Sequence, residues 1–162
     1  MSDIGSLLGR IGDGLFQQAF VVGDLDAAEE TMRSTIGCTE FVNLPASELE
    51  YDLRGECVRA ALGIGFARSG NVQVELIQPV RGPSLHAEFL AENGPGAHHL
   101  GFLVDDLHNV VAHAEDVGFP KLMGARFGSL EFCYLDTWDA MGLYTELVED
   151  PGGMMWSLMP WR

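Results

Sequence analysis

Residues 99–107 read His99-Leu-Gly-Phe-Leu-Val-Asp-Asp-Leu107, and residues 17–25 read Gln17-Gln-Ala-Phe-Val-Val-Gly-Asp-Leu25. At an offset of 82 residues, Phe20 falls on Phe102, Val22 on Val104, Asp24 on Asp106 and Leu25 on Leu107. Each stretch is a short apolar strand that ends at an aspartate, and a helical pattern follows. Asp24 is placed to cap a helix whose apolar residues Leu25, Ala28, Met32 and Ile36 recur near helical spacing before Gly37 stops the run. Asp106 plays the same part for Leu107, Val110, Val111, Ala114 and Val117, with Gly118 as the stop. A supersecondary unit met twice at one spacing is the signature of a duplicated module.

Strand-like segments follow each helix. They are 38–44, 58–67 and 71–78 in the first copy, and 119–125, 130–136 and 142–149 in the second, with glycine and proline marking the turns. Each copy therefore reads as βαβββ. The fold class expected is α+β, with two tandem βαβββ modules forming a curved, partly open β-sheet cavity. The expected divisions are an N-terminal arm at 1–14, a first module at 15–78, a linker at 79–97, a second module at 98–150 and an apolar tail at 151–162. The linker carries a short helical stretch at 84–91 and then Asn93-Gly-Pro-Gly.

The composition narrows the function. A chain of 162 residues with 47% hydrophobic content can build a core, and 24 acids against 9 bases leave a net charge of -15. Such a field repels phosphate backbones and anionic lipid, which argues against nucleic-acid and membrane-surface roles. The start of the chain lacks the basic and apolar regions of a signal peptide. Cys38, Cys57 and Cys133 form no CxxC pair and read as reduced, buried thiols, so a cytoplasmic location is expected. Lys121 is the only lysine, and no arginine cluster suited to a polyanionic substrate is plain.

Near the end of each module an acid sits within an apolar strand: Glu75 in Val72-Gln-Val-Glu-Leu-Ile and Glu146 in Leu143-Tyr-Thr-Glu-Leu-Val. Burying such a carboxylate is costly unless it is paired or bound to a cation. The first strands begin at Gln17 and His99. The candidate set is thus Gln17, Glu75, His99 and Glu146, two from each copy, with Gln18 the neighbour a one-residue slip would substitute. His98 falls on the opposite strand face and reads as structural. Tyr51, Arg54, Arg59, Tyr134 and Tyr144 are further residues able to line a cavity.

These residues resemble the vicinal oxygen chelate superfamily of glyoxalase, bleomycin-resistance and dioxygenase proteins, over about residues 15–149. The stretch from Ser84 to Leu107 is most similar to the linker of methylmalonyl-CoA epimerases, and the ligand set to that of glyoxalase I. The resemblance implies metal ligands at Gln17, Glu75, His99 and Glu146, where histidine is more usual at the first position. It implies a divalent ion (Ni, Co, Mn, Zn or Mg), and Gln17 speaks against an iron(II) dioxygenase. The implied activity is that of an isomerase, epimerase or lyase acting on a small organic substrate. A proton is removed next to a carbonyl by a carboxylate, Glu146 or Glu75, with the enolate oxygen on the metal. The alternative is a non-catalytic small-molecule binding protein of the bleomycin-resistance type, and a purely structural ion is a third reading. The negative charge and scarcity of lysine speak against a coenzyme A ester. A homodimer is expected, with the apolar tail at its interface or folded over the cavity.

Overall fold

The computed structural model describes residues 2–157. A helix α1 (Ile4–Ile11) precedes the first module, whose elements are β1 (Leu15–Val21), α2 (Leu25–Ile36), β2 (Val42–Leu44), β3 (Glu48–Leu53), β4 (Glu56–Ser69) and β5 (Val72–Arg81). Helix α3 (Leu85–Asn93) bridges to β6 (Gly96–Leu103), α4 (Leu107–Asp116), β7 (Lys121–Phe127), β8 (Leu130–Leu135), α5 (Trp138–Met141), β9 (Tyr144–Glu149) and α6 (Met154–Ser157). The caps fall where the aspartates predict them. Asp24 accepts from the Ala27 amide and Asp106 from the Asn109 amide, each at 3.0 Å, and Gly37 closes α2 in the left-handed conformation. Ser84 does the same for α3 through the Ala87 amide.

The strands form one sheet in the order β2-β4-β3-β7-β8-β9-β6-β1-β5, and β5 also pairs with β4. That last pairing curls the sheet back on itself into a barrel-like cavity. Each module contributes a contiguous half, and β1 meets β6 along an antiparallel seam. In that seam Gln17 pairs with Gly101 and Ala19 with His99. Exchanging each residue for its counterpart in the repeat returns the same two pairs, so the halves are related by a local twofold through the seam. The opposite seam, β3 to β7, has only the pairs Asp52–Gly124 and Leu53–Met123.

Helices cover the outside. Leu7 and Ile11 of α1 pack with Leu107, Val110 and Ala114 of α4, and with Phe102 and Leu147 of the sheet. The N-terminal arm thus contains a capped helix, with the Asp3 side chain accepting from the Ser6 amide at 2.9 Å.

Several sequence expectations are corrected. The strand expected at 38–44 is confined to Val42–Leu44, and β3 is an additional strand, in which Glu48-Leu-Glu-Tyr-Asp-Leu53 alternates acid and apolar residues. The β3–β4 hairpin turns on Arg54 and Gly55, both at positive φ (50° and 85°), which is type I′ turn geometry achieved with an arginine in place of the usual Asn or Asp. Strand β9 begins at Tyr144, because Gly142 is spent closing α5. Of the three thiols Cys133 is buried, Cys38 is partly exposed and Cys57 is exposed. No helix among the described residues is long and apolar enough to cross a membrane.

Leu7 is fully buried, so Leu7→Ala removes side-chain packing that the barrel cannot refill. A loss of about 2–5 kcal/mol is expected. It is read as a lower urea midpoint with unchanged slope; an unaltered midpoint would mean that α1 is not part of the cooperative unit.

Candidate metal centre

The site lies on the four strands at the long seam. In one cross-strand row Ala19 stands between Glu75 and His99, and in the next Gly101 stands between Gln17 and Glu146. The interleaved positions are therefore the small ones. Four polar side chains converge over a patch of sheet with almost no side-chain volume. A Cβ added to Gly101 would sit 2.7 Å from Gln17 Oε1 and 3.2 Å from Glu146 Oε2, so the glycine is required by the close approach.

Gln17, Glu75, His99 and Glu146 are all buried. His99 Nε2 is 3.0 Å from Gln17 Oε1, 3.4 Å from Glu75 Oε2 and 3.3 Å from Glu146 Oε2. All four groups come from one chain. Gln17 Nε2 donates to Gln73 Oε1 at 2.5 Å, which turns the amide so that its oxygen faces the centre. Gln18 is on the other face of β1 and half-buried, and it is Gln17 whose side chain lies beside His99. Glu75 Oε2 and Glu146 Oε2 are enclosed without a hydrogen-bond partner. Two carboxylates buried face to face are costly without a counter-charge, which protonated His99 supplies at 3.4 and 3.3 Å and which a bound cation could supply in its place. The Glu75, His99 and Glu146 ligand atoms lie within 4.8 Å of one another, close enough to share one ion.

The electrostatics agree. Burial alone would lower the His99 pKa, but the charges of Glu146 and Glu75 outweigh it and raise the value to about 9. The Glu75 carboxyl is pushed up, first by burial and then by the neighbouring Glu146 charge, against the opposing pull of His99. Tyr134, across from Glu146 on β8, is held well above its usual range by burial and the two carboxylates, so its phenol stays neutral.

Around this centre lie residues that strand reasoning passed over. His98 packs against His86 and Phe89, yet its Nδ1 lies 2.9 Å from His99 Nδ1 and the two rings share a hydrogen bond. His86 of α3 reaches the Tyr134 hydroxyl at 3.2 Å. The joint burial of His86 and Phe89 one helical turn apart was the available signal for it. His86, His98 and His99 are themselves close enough to hold an ion, although these rings are engaged with one another and with Tyr134.

Glu75 and Glu146 border a cavity of about 120 Å³ inside the barrel. Tyr51, Tyr134 and His86 are its other polar borders, and Met154 and Met155 of the tail lie along it. Arg54 and Arg59 are not on it: Arg54 is engaged by Glu88 at 2.8 Å, and Arg59 lies outside near Glu48 at 3.5 Å. Tyr144 packs on Trp138 and His98 instead. Of the tail, residues 158–162, including Trp161, lie outside the described residues.

The profile of the Glyoxalase/Bleomycin resistance protein/Dioxygenase superfamily matches residues 16–134. Methylmalonyl-CoA epimerase from Mycobacterium tuberculosis is similar at 26% identity and a TM-score of 0.55, covering 84% of this chain and 87% of that one. A variant of the Streptomyces coelicolor epimerase in complex with 2-nitronate-propionyl-CoA is similar at 27% identity and a TM-score of 0.58, covering 83% and 95%. A hypothetical protein, BH1468 from Bacillus halodurans, shares the fold at 17% identity, a TM-score of 0.62 and coverage of 83% and 92%. No curated protein matches the sequence.

Two outcomes follow from the geometry. At pH 7.5 His99 carries a proton, and a metal-bound imidazole cannot, so loading with Ni²⁺ should release protons and tighten as pH rises toward about 9. Calorimetry in buffers of different ionisation enthalpy reads this directly, and pH-independent affinity would contradict it. Gly101→Ala should weaken Ni²⁺ binding about 10–100-fold while circular dichroism is preserved, since it displaces Gln17 and Glu146 together.

Proposed function

Since the chain belongs to the glyoxalase/bleomycin resistance protein/dioxygenase superfamily, we propose that it is a metal-dependent isomerase, epimerase or lyase of the glyoxalase type. It would remove a proton next to a carbonyl of a small organic substrate. The observation that carries this reading is the buried pair Glu75 Oε2 and Glu146 Oε2, without a well-formed hydrogen bond and both set around His99 Nε2 at 3.4 and 3.3 Å. Gln17, Glu75, His99 and Glu146 would hold the ion. One imidazole, one amide oxygen and two carboxylates form a donor set suited to Mg, Mn, Co, Ni or Zn. When bound, the ion supplies Lewis acidity that makes a neighbouring C–H easier to ionise.

The chain's own residues do the rest. Glu75 and Glu146 both border the cavity and are twofold counterparts, so they address a substrate from two sides. Removal of a proton by one and its return by the other inverts the carbon. Removal and return by the same carboxylate moves the proton without inversion. Burial raises the Glu75 carboxyl above its ordinary range, which suits a base that must hold the proton it takes before giving it back. The neutral phenol of Tyr134 is placed to donate a hydrogen bond beside Glu146, and the apolar walls keep bulk water away. Gln73 holds the Gln17 amide in its working orientation.

Assembly as a homodimer belongs to the same proposal. Because all four groups come from one chain, monomer and dimer should retain metal alike. A second reading, a binding protein without chemistry, is favoured by the apolar cavity beside two carboxylates, which suits a cationic apolar ligand.

Protein refolded with Ni, Co, Mn or Zn should retain about one ion per chain. Glu146→Gln should then lower α-proton exchange of an accepted carbonyl compound by about 10²–10⁴-fold with the fold intact, because an amide cannot take up a proton at neutral pH. Deuterium incorporation followed by NMR measures this. Full exchange in the variant with metal still bound would exclude Glu146 as the base, and absence of exchange in the loaded parent would favour the binding reading.

A further inference from the structure

We propose that the substrate is uncharged and apolar at its reacting end, a carbonyl compound bearing an aryl or branched alkyl group next to the ionising carbon, and not a carboxylate-bearing acyl group of the malonyl kind. The proposal rests on the reading of Glu75, His99 and Glu146 as the ion-holding, proton-moving centre, and names what that centre acts on.

The cavity walls carry it. Leu62, Ile64, Phe66, Phe127, Phe132 and Val148 line the cavity together with the two carboxylates, Phe66 as the cross-strand neighbour of Glu75. No arginine or lysine lines the cavity among the described residues. Those cations are committed elsewhere: Arg54 to Glu88 at 2.8 Å, Arg81 to Glu48 at 2.7 Å, Arg33 to Glu29 at 3.2 Å and Lys121 to Asp52 at 2.8 Å. The one histidine on the wall, His86, is buried and engaged by the Tyr134 hydroxyl at 3.2 Å.

The charges at the centre then balance. A divalent ion and two carboxylates sum to zero, so a further carboxylate on the substrate would be buried beside Glu75 and Glu146 with no counter-charge. The net charge of -15 on the whole chain adds to the penalty on its approach. A neutral carbonyl meets no such barrier. This cavity, at about 120 Å³, is somewhat smaller than the ~150 Å³ apolar cavity that admits benzene, so an aryl group requires its wall to give. Met154 and Met155 at its edge offer flexible thioether side chains, which adapt to an aromatic or branched group without a fixed shape.

The test compares two N-acetylcysteamine thioesters, of 2-phenylpropanoate and of methylmalonate, on the Ni²⁺-loaded full chain. Calorimetry gives binding, and deuterium incorporation at C2 gives turnover. The expected result is saturable binding of the phenylpropanoyl thioester, at least about tenfold tighter than the methylmalonyl one, with exchange following the same order. Selective binding without exchange of either compound would uphold the substrate class while defeating the proton-transfer reading. Equal or tighter binding of the carboxylate-bearing thioester, or failure of the neutral one to bind saturably, overturns the proposal.

Discussion

The pairing of β1 with β6 is the contact on which the rest of the molecule depends. It joins two module halves into one sheet and sets the only register in which Gln17, Glu75, His99 and Glu146 all point into the barrel. Side chains alternate along a strand, so a slip of one residue at this seam would turn Gln17 outward and bring Gln18 and Phe16 in. The register also decides where the small residues fall. Ala19 and Gly101 occupy the two positions between the polar side chains, and any larger residue there would fill the space the four converge on. Closure of β5 onto β4 then excludes solvent from the same space, which is why the charges interact strongly.

That enclosure comes at an electrostatic cost. Two carboxylates side by side in a low-dielectric barrel repel, and His99 moderates them only while protonated. The protein holds this arrangement with uncharged support: Gln73 on the Gln17 amide, His98 on the far side of His99, and Tyr134 beside Glu146. None of these supports supplies charge, so the counter-charge at the centre is left to His99 alone. The β3–β7 seam is far shorter than β1–β6, and this places the looser side of the barrel away from the centre.

The sequence discloses the parts of this design that repeat. Asp24 and Asp106, with the apolar residues before them, reveal two strand–helix units, and the duplicated positions of Glu75 and Glu146 expose a candidate centre with no structure in view. Features without a counterpart in the other copy stay hidden. Strand β2, which pairs only with β4, and helix α1 lie outside the repeat, and the turn after β3 is built on Arg54 where Asn or Asp would have marked it. Gln73 looks like one more polar strand residue until β5 is aligned beside β1, and His86 acquires meaning only when α3 is laid across the sheet. Pairing across strands is not written in local periodicity, so contacts of this kind are the ones sequence patterns miss.

The twofold through the seam has an evolutionary reading. Two identical single modules associating as separate chains would be obliged to present the same residue at both symmetry-related positions, amide facing amide or imidazole facing imidazole. Covalent fusion lifts that obligation, because each copy can then drift alone. Gln17 opposite His99 is the visible use of that freedom: a neutral amide on one side, a titrating ring on the other, and a centre whose two halves have ceased to be interchangeable.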